Sequence, residues 1–132
     1  MGPDAVWSVP AGLLRTDHAE PSVFRPESLL REARRQRGLE AGRVPDVCLL
    51  DPDGDVVRWL QQTGRGLRSS SWACYHTELL EAEVNGIRVG VLGSAVGAAF
   101  AVLVAEELFA SGCGLLVSVT SAGQLDPAMT LP

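Results

Sequence analysis

The 132 residues carry a net charge of -5, with 11 basic residues against 16 acidic ones. That balance excludes a general nucleic-acid binder, which needs a basic surface. Hydrophobic residues make up 46%, a globular composition, and the length fits one domain with a core of its own. Every basic residue is an arginine, so no mechanism that depends on lysine is open to the chain.

Residues 1–25 contain Pro3, Pro10 and Pro21 among mixed polar residues and show no sustained period. They read as a loosely ordered arm, leaving 26–132 as the α/β domain. No basic segment precedes an apolar core at the N-terminus, so no signal peptide is expected. The longest apolar stretch, 95–105, is too short to span a membrane and runs into Glu106-Glu107. Cys48, Cys74 and Cys113 are odd in number and form no CxxC pair. They read as buried, reduced thiols of a cytoplasmic protein. His18 and His76 stand in unrelated contexts, so no metal site is expected.

Pro26-Glu27 opens a helix in the expected way, with proline and an acid in its first turn. Leu29, Leu30 and Ala33 give it an apolar stripe, Arg31, Arg34, Arg35 and Arg37 a solvated one, and Gly38 its stop. Residues 44–50 predict the first strand, which runs into Asp51-Pro52-Asp53-Gly54-Asp55. A short helix with Arg58 follows at 57–61, then a polar loop at 63–71 and a strand at 72–75. Asn85-Gly86 is the strongest hairpin signal, so 77–84 and 87–92 are expected to be antiparallel neighbours.

Gly93 and Gly97 bracket a turn of small residues; a helix is expected at 95–111, stopped by Gly112, and a buried strand at 115–119. Strand, helix, strand implies a βαβ unit with a parallel pair and a right-handed crossover. The fold class is therefore α/β: a mixed central sheet of four or five strands flanked by helices, with 44–50, the hairpin and 115–119 at its centre. Ligands of such sheets lie at the carboxyl ends of the strands, where Gly93-Ser94 and Thr120-Ser121 fall. Only 13 residues follow position 119, too few for a strand and helix to cover so apolar a strand. The expectation is an incomplete fold that continues in a longer chain or associates with itself.

The alternating acids of 51–55 suggest a calcium loop, but the glycine precedes the third acid and Gln62 stands where a glutamate is required. Residues 47–57 resemble the first motif of haloacid-dehalogenase-type phosphatases. That resemblance implies Asp51 as nucleophile and Asp53 as acid, with Ser118 or Thr120 as the later hydroxyl. The acidic pair for magnesium does not follow.

A longer match, over residues 44–125, resembles the nucleoside phosphorylase family (purine nucleoside and uridine phosphorylases). Gly54-Asp55-Val56-Val57-Arg58 resembles its Gly-Asp-Pro-x-Arg turn, and Gly93-Ser94-Ala95-Val96-Gly97 its next glycine-rich turn. Glu106-Glu107-Leu108 with Gly112 resembles its helix end, and residues 118–123 its Arg-x-Gly-Thr/Ser-x-Gly segment. The resemblance implies phosphate-dependent cleavage of the N-glycosidic bond of nucleosides, with inorganic phosphate as co-substrate, no cofactor, and a homo-oligomer. By it, Gly54 offers phosphate a backbone N–H, Arg58 a guanidinium fork, and Ser121 a hydroxyl and an N–H. Ser94 lies near ribose and phosphate, and Gly93, His76 and Thr120 border the pocket; no catalytic residue is assigned.

Ser118 stands where the family has a phosphate-binding arginine, and Tyr75 or His76 where a neighbouring subunit donates another. The family's ribose-binding and catalytic segments belong to a C-terminal half with no counterpart in these residues. A truncated or impaired enzyme is one expectation; a non-enzymatic nucleoside- or phosphate-binding, self-associating relative is the other. Arg65 and Arg68 are candidates to replace the missing cations. Trp72-Ala73-Cys74-Tyr75-His76-Thr77-Glu78 reads mainly as core aromatics beside a surface histidine.

Overall fold

The structure is a computed structural model that describes residues 19–124, 126 and 128. Residues 1–18 of the expected N-terminal arm lie outside the described residues; 19–25 are exposed.

In chain order the elements are α1 (Pro26–Arg37), β1 (Val47–Asp51), α2 (Asp55–Thr63), β2 (Leu67–Arg68), β3 (Leu79–Val84), β4 (Ile87–Gly93), α3 (Ala98–Ala110) and β5 (Leu115–Ser118). The described residues therefore form a mixed five-stranded sheet with three helices, in the order β2-β3-β4-β1-β5. The α/β class follows directly. β3 and β4 pair antiparallel through the tight turn at Asn85-Gly86, where both residues take positive φ. β1 lies parallel to β4 on one side and to β5 on the other.

Two details of connectivity correct the sequence reading. β4 and β5 are parallel, as a βαβ unit requires, but β1 sits between them, so α3 crosses over one strand. β5 is an edge strand rather than a buried central one: Leu115 is 54% exposed and Val117 43%. An apolar run signals burial only when something covers it, and among the described residues nothing covers that side of β5.

The two faces of the sheet differ accordingly. On one face Cys48, Leu50, Leu79 and Leu92 pack with Val104 and Leu108 of α3, with Leu116 against them. On the other, Leu80, Ala82 and Val91 pack with Leu60 of α2, flanked by Leu49 and Val89. Side chains alternate along a strand, so Leu115 and Val117, in register with Val47 and Leu49, face the α2 side, beyond the helix's reach. α1 packs on α3 through Leu30 and Ala33 with Ala110 nearby.

Residues 72–75 form no strand. They are a buried loop in which the Trp72 indole N–H donates to Thr77 Oγ1 at 3.0 Å. A two-residue strand, β2, lies instead in the polar loop. The three cysteines are free and buried. Burial, with the Cys113 thiol beside it, pushes Cys48 up to about 12, so it stays a protonated, unreactive core residue. Among the described residues no helix is long and apolar enough to cross a membrane.

Candidate functional site

The carboxyl ends of β1, β4 and β5 meet at one edge of the sheet, and the turn 51–54 joins them. Asp51 is 3% exposed, and three bonds to it organise the site. Its carbonyl accepts the N–H of Gly54 and that of Ser94, each at 3.0 Å. Its Oδ2 accepts the Val57 N–H at 3.0 Å. Val57 is the third residue of α2 and Gly54 the N-cap, without a side chain to cap it. Asp51 thus does the capping from the strand, placing a carboxylate at the positive end of the helix. The nucleophile role implied by the phosphatase resemblance needs a carboxylate presented to substrate; here one oxygen and the carbonyl are committed to the backbone.

Left-handed backbone at Gly54 (φ 74°) and at Ser94 (φ 61°) brings the two turns together. A Cβ at Gly54 would lie 3.1 Å from Arg58 Nη1 and 3.2 Å from Ser94 Oγ. A Cβ at Gly93 would lie 2.8 Å from Val57 Cγ2. Glycine at 54 and 93 is thus what lets strand end, helix start and Ser94 hydroxyl approach. Arg58, one turn into α2, donates through Nη1 to the Asp53 carbonyl at 3.2 Å and pairs with Asp55. Its guanidinium remains largely in solvent, and such a pair contributes little to stability.

Of the residues implied by resemblance, Gly54, Arg58 and Ser94 are therefore neighbours. The Gly54 N–H is not free for a ligand, because it closes the 51–54 turn. Ser121 approaches from the β5 end, but its N–H donates to Asp53 Oδ2 at 2.7 Å. Thr120 Oγ1 lies 3.4 Å from the same oxygen. These bonds hold the Asp53 carboxyl below its usual range, with the Ser121 amide the largest cause. Ser118 is exposed and Thr120 faces Asp53 rather than a cavity.

Beside Ser94 a cavity of about 230 Å3 is lined by Gly93, His76, Thr77, Glu78, Phe100 and Gln61 among others. It gathers Gly93 and Ser94 of one glycine-rich turn with His76 of the 72–78 stretch. Arg65 stacks over the Trp59 ring, 5.3 Å from its centroid, and lines a different cleft against β2 and β3. Arg68 pairs at 3.0 Å with Glu78, a lining residue of the Ser94 cavity, and itself lines other clefts.

One residue under this site carried no sequence signal of its own role. Glu107 on α3 is 1% exposed, with Oε2 lacking a partner among the described residues. Burial raises its pKa, while Cys74 and His76 oppose the rise. In sequence it belongs only to the Glu106-Glu107-Leu108 helix end, and the packing of α3 against the 72–77 loop reveals its burial.

Comparison with protein-family models, curated proteins and solved structures gives no match to this chain.

Proposed function

We propose that this protein is nucleoside-phosphorylase-like, holding inorganic phosphate at the carboxyl edge of its sheet with a nucleoside in the adjoining cavity. The observation that carries this reading is the convergence of Gly54 and Arg58 of one motif with Ser94 of another, distant in sequence. Arg58 supplies a planar, permanently charged fork for a tetrahedral oxyanion, and Ser94 a hydroxyl. At the level of the family, a phosphate oxygen forms a bond to the anomeric carbon while the bond to the base nitrogen breaks. The site's part is to hold the nucleophile in line. Phosphate is a co-substrate, and the reading requires no other cofactor.

Turnover is expected to be impaired. Ser118 stands where the family has a guanidinium, and the Asp53 and Asp55 carboxylates lie near Arg58. Like charges beside a solvent-exposed guanidinium weaken its hold on an anion. The protein is thus proposed to bind phosphate weakly without releasing base, as a self-associating protein of the reducing cytoplasm. The three buried free thiols suit that compartment.

The test is a phosphate titration followed through the amides of residues 54–58 and 94, with Arg58→Ala beside wild type. Binding that Arg58→Ala abolishes supports the reading; binding that survives it refutes the assignment of Arg58. Incubation with inosine or uridine plus phosphate, and separately with a phosphomonoester plus magnesium, tests the chemistry. Base release by this chain would refute the impairment, and release of phosphate from the monoester would favour the phosphatase reading.

A further inference from the structure

The Ser121 N–H, which an anion at these strand ends would need, already has an anionic acceptor from the same chain. Asp53 Oδ2 lies 2.7 Å from Ser121 N, and Thr120 Oγ1 lies 3.5 Å and 3.4 Å from the two carboxylate oxygens. An amide and a hydroxyl at a strand end, converging on negatively charged oxygens, are the donors a phosphate would use. Asp53 sits two residues after the buried Asp51, on the turn that leads into α2. The Arg58 guanidinium rests on the Asp53 carbonyl at 3.2 Å.

We propose that the Asp53 carboxylate is a built-in stand-in for the anion: it occupies the Ser121 side of the site until a ligand displaces it. This inference rests on the reading that the strand ends hold an oxyanion, and it adds that the resting site is closed from within. Three features of the contact suit displacement. Asp53 is exposed, so its side chain can turn into solvent without opening the core. Thr120 and Ser121 are exposed as well. Asp51, which holds the turn itself, stays in place because its bonds are to Gly54, Val57 and Ser94, none of which involves Asp53.

The stand-in also sets which ligands enter. With Asp51 and Asp55 nearby, an incoming anion has to recover through Arg58, Ser94 and Ser121 what it loses to like-charge repulsion. A compact tetrahedral oxyanion able to bridge all three does so; a chloride, or a planar carboxylate whose two oxygens reach at most two of them, recovers less.

The experiment is a titration of the full 15N-labelled chain with inorganic phosphate, comparing wild type, Asp53→Ala and Asp53→Asn. The Ser121, Ser94 and Gly54 amides report binding. Asp53→Ala is expected to bind phosphate roughly ten-fold more tightly, the worth of one charge-assisted hydrogen bond released to the ligand. In phosphate-free buffer its Ser121 amide should also exchange faster with solvent. Asp53→Asn drops the charge but keeps an acceptor for the Ser121 N–H, so its gain should be smaller than that of Asp53→Ala.

Wild-type affinity in Asp53→Ala, or a gain in Asp53→Asn equal to it, overturns the stand-in and leaves the anion site standing. No phosphate response in any of the three proteins overturns the anion site and this inference with it. If the alanine variant fails to fold, Asp53→Asn decides: no gain over wild type overturns the proposal.

Discussion

Gly93-Ser94 and Thr120-Ser121 look alike in sequence, each a short turn of glycine or hydroxyl residues at the carboxyl end of an apolar strand. The structure holds them in opposite ways. Gly93-Ser94 follows β4, which lies beside β1. The Ser94 amide is fixed on the Asp51 carbonyl, and Gly93 fits against Val57 with no room for a side chain. Thr120-Ser121 follows the edge strand β5. Its last backbone tie to the sheet is Val119 N to Leu50 O at 3.0 Å, and beyond that it is held through the exposed side chain of Asp53. Place in the strand order, more than local sequence, decides which turn is part of the rigid frame and which can open. The proposed site would then have one fixed and one releasable wall.

The sharpest way to break the contrast is to remove the anchor of the fixed turn. Asp51→Ala deletes the cap of α2 and leaves the Val57 N–H without its acceptor in a partly buried setting. A loss of about 2–3 kcal/mol is expected, within the range for losing a cap bonded through a charged acceptor. The midpoint of urea unfolding measures it. An unchanged midpoint would mean that the fixed turn is held by something other than Asp51.

Much of this frame was legible because it rests on local rules. Asn85-Gly86 gives the hairpin through its left-handed φ values, Pro26-Glu27 and Gly38 bound α1, and 51–55 follows a strand into a helix. Gly93 reads from sequence as bracketing a turn of small residues, while its close approach to Val57 shows only in the fold. What stayed hidden depends on sheet order and on contacts distant in sequence. Nothing in residues 115–119 says that β1 would insert beside them and leave them at an edge. Trp72-Ala73-Cys74 has strand composition but spends it in a buried loop, because Trp72 reaches Thr77 and Ala73 packs on α1. Likewise the motif residues Gly54 and Ser121 were placed correctly at the strand ends, while their N–H groups were already committed, to Asp51 and Asp53.

The open side of the contrast extends along β5. Leu115, Val117 and Val119 are each 43% exposed or more, and among the described residues no charge, proline or bulge protects this edge, as edges of soluble proteins usually are protected. Self-association through that edge is expected, and Val117→Lys should return the chain to a monomer in sedimentation velocity. Because Val117 is already half in solvent, the variant's unfolding midpoint should barely move. A wild-type chain that sediments as a monomer in dilute solution would refute the association, leaving β5 a tolerated open edge.

The smallest expected effect separates the two turns by pH. Asp53 has a folded-state pKa below the ordinary carboxylate value of 3.8, because the ionised form accepts from Ser121 and Thr120 and lies near Arg58. A depressed pKa means that the unfolded or released carboxylate binds protons more readily than the bonded one. The contact's contribution is therefore complete above about 3.8 and is lost as pH falls through the lower folded value. The groups facing it are Arg58, Thr120 and Ser121, with the Asp51 and Asp55 carboxylates on the same turn. On acidification the Ser121 amide resonance should shift in a single titration with a midpoint below 3.8. The Ser94 amide, bonded to the Asp51 backbone carbonyl and not to Asp53, should not follow that midpoint. Asp53 is exposed, so global stability should hardly register the step. A Ser94 shift that tracks Ser121 would show that the two turns open together, and the distinction between a fixed and a releasable wall would fall.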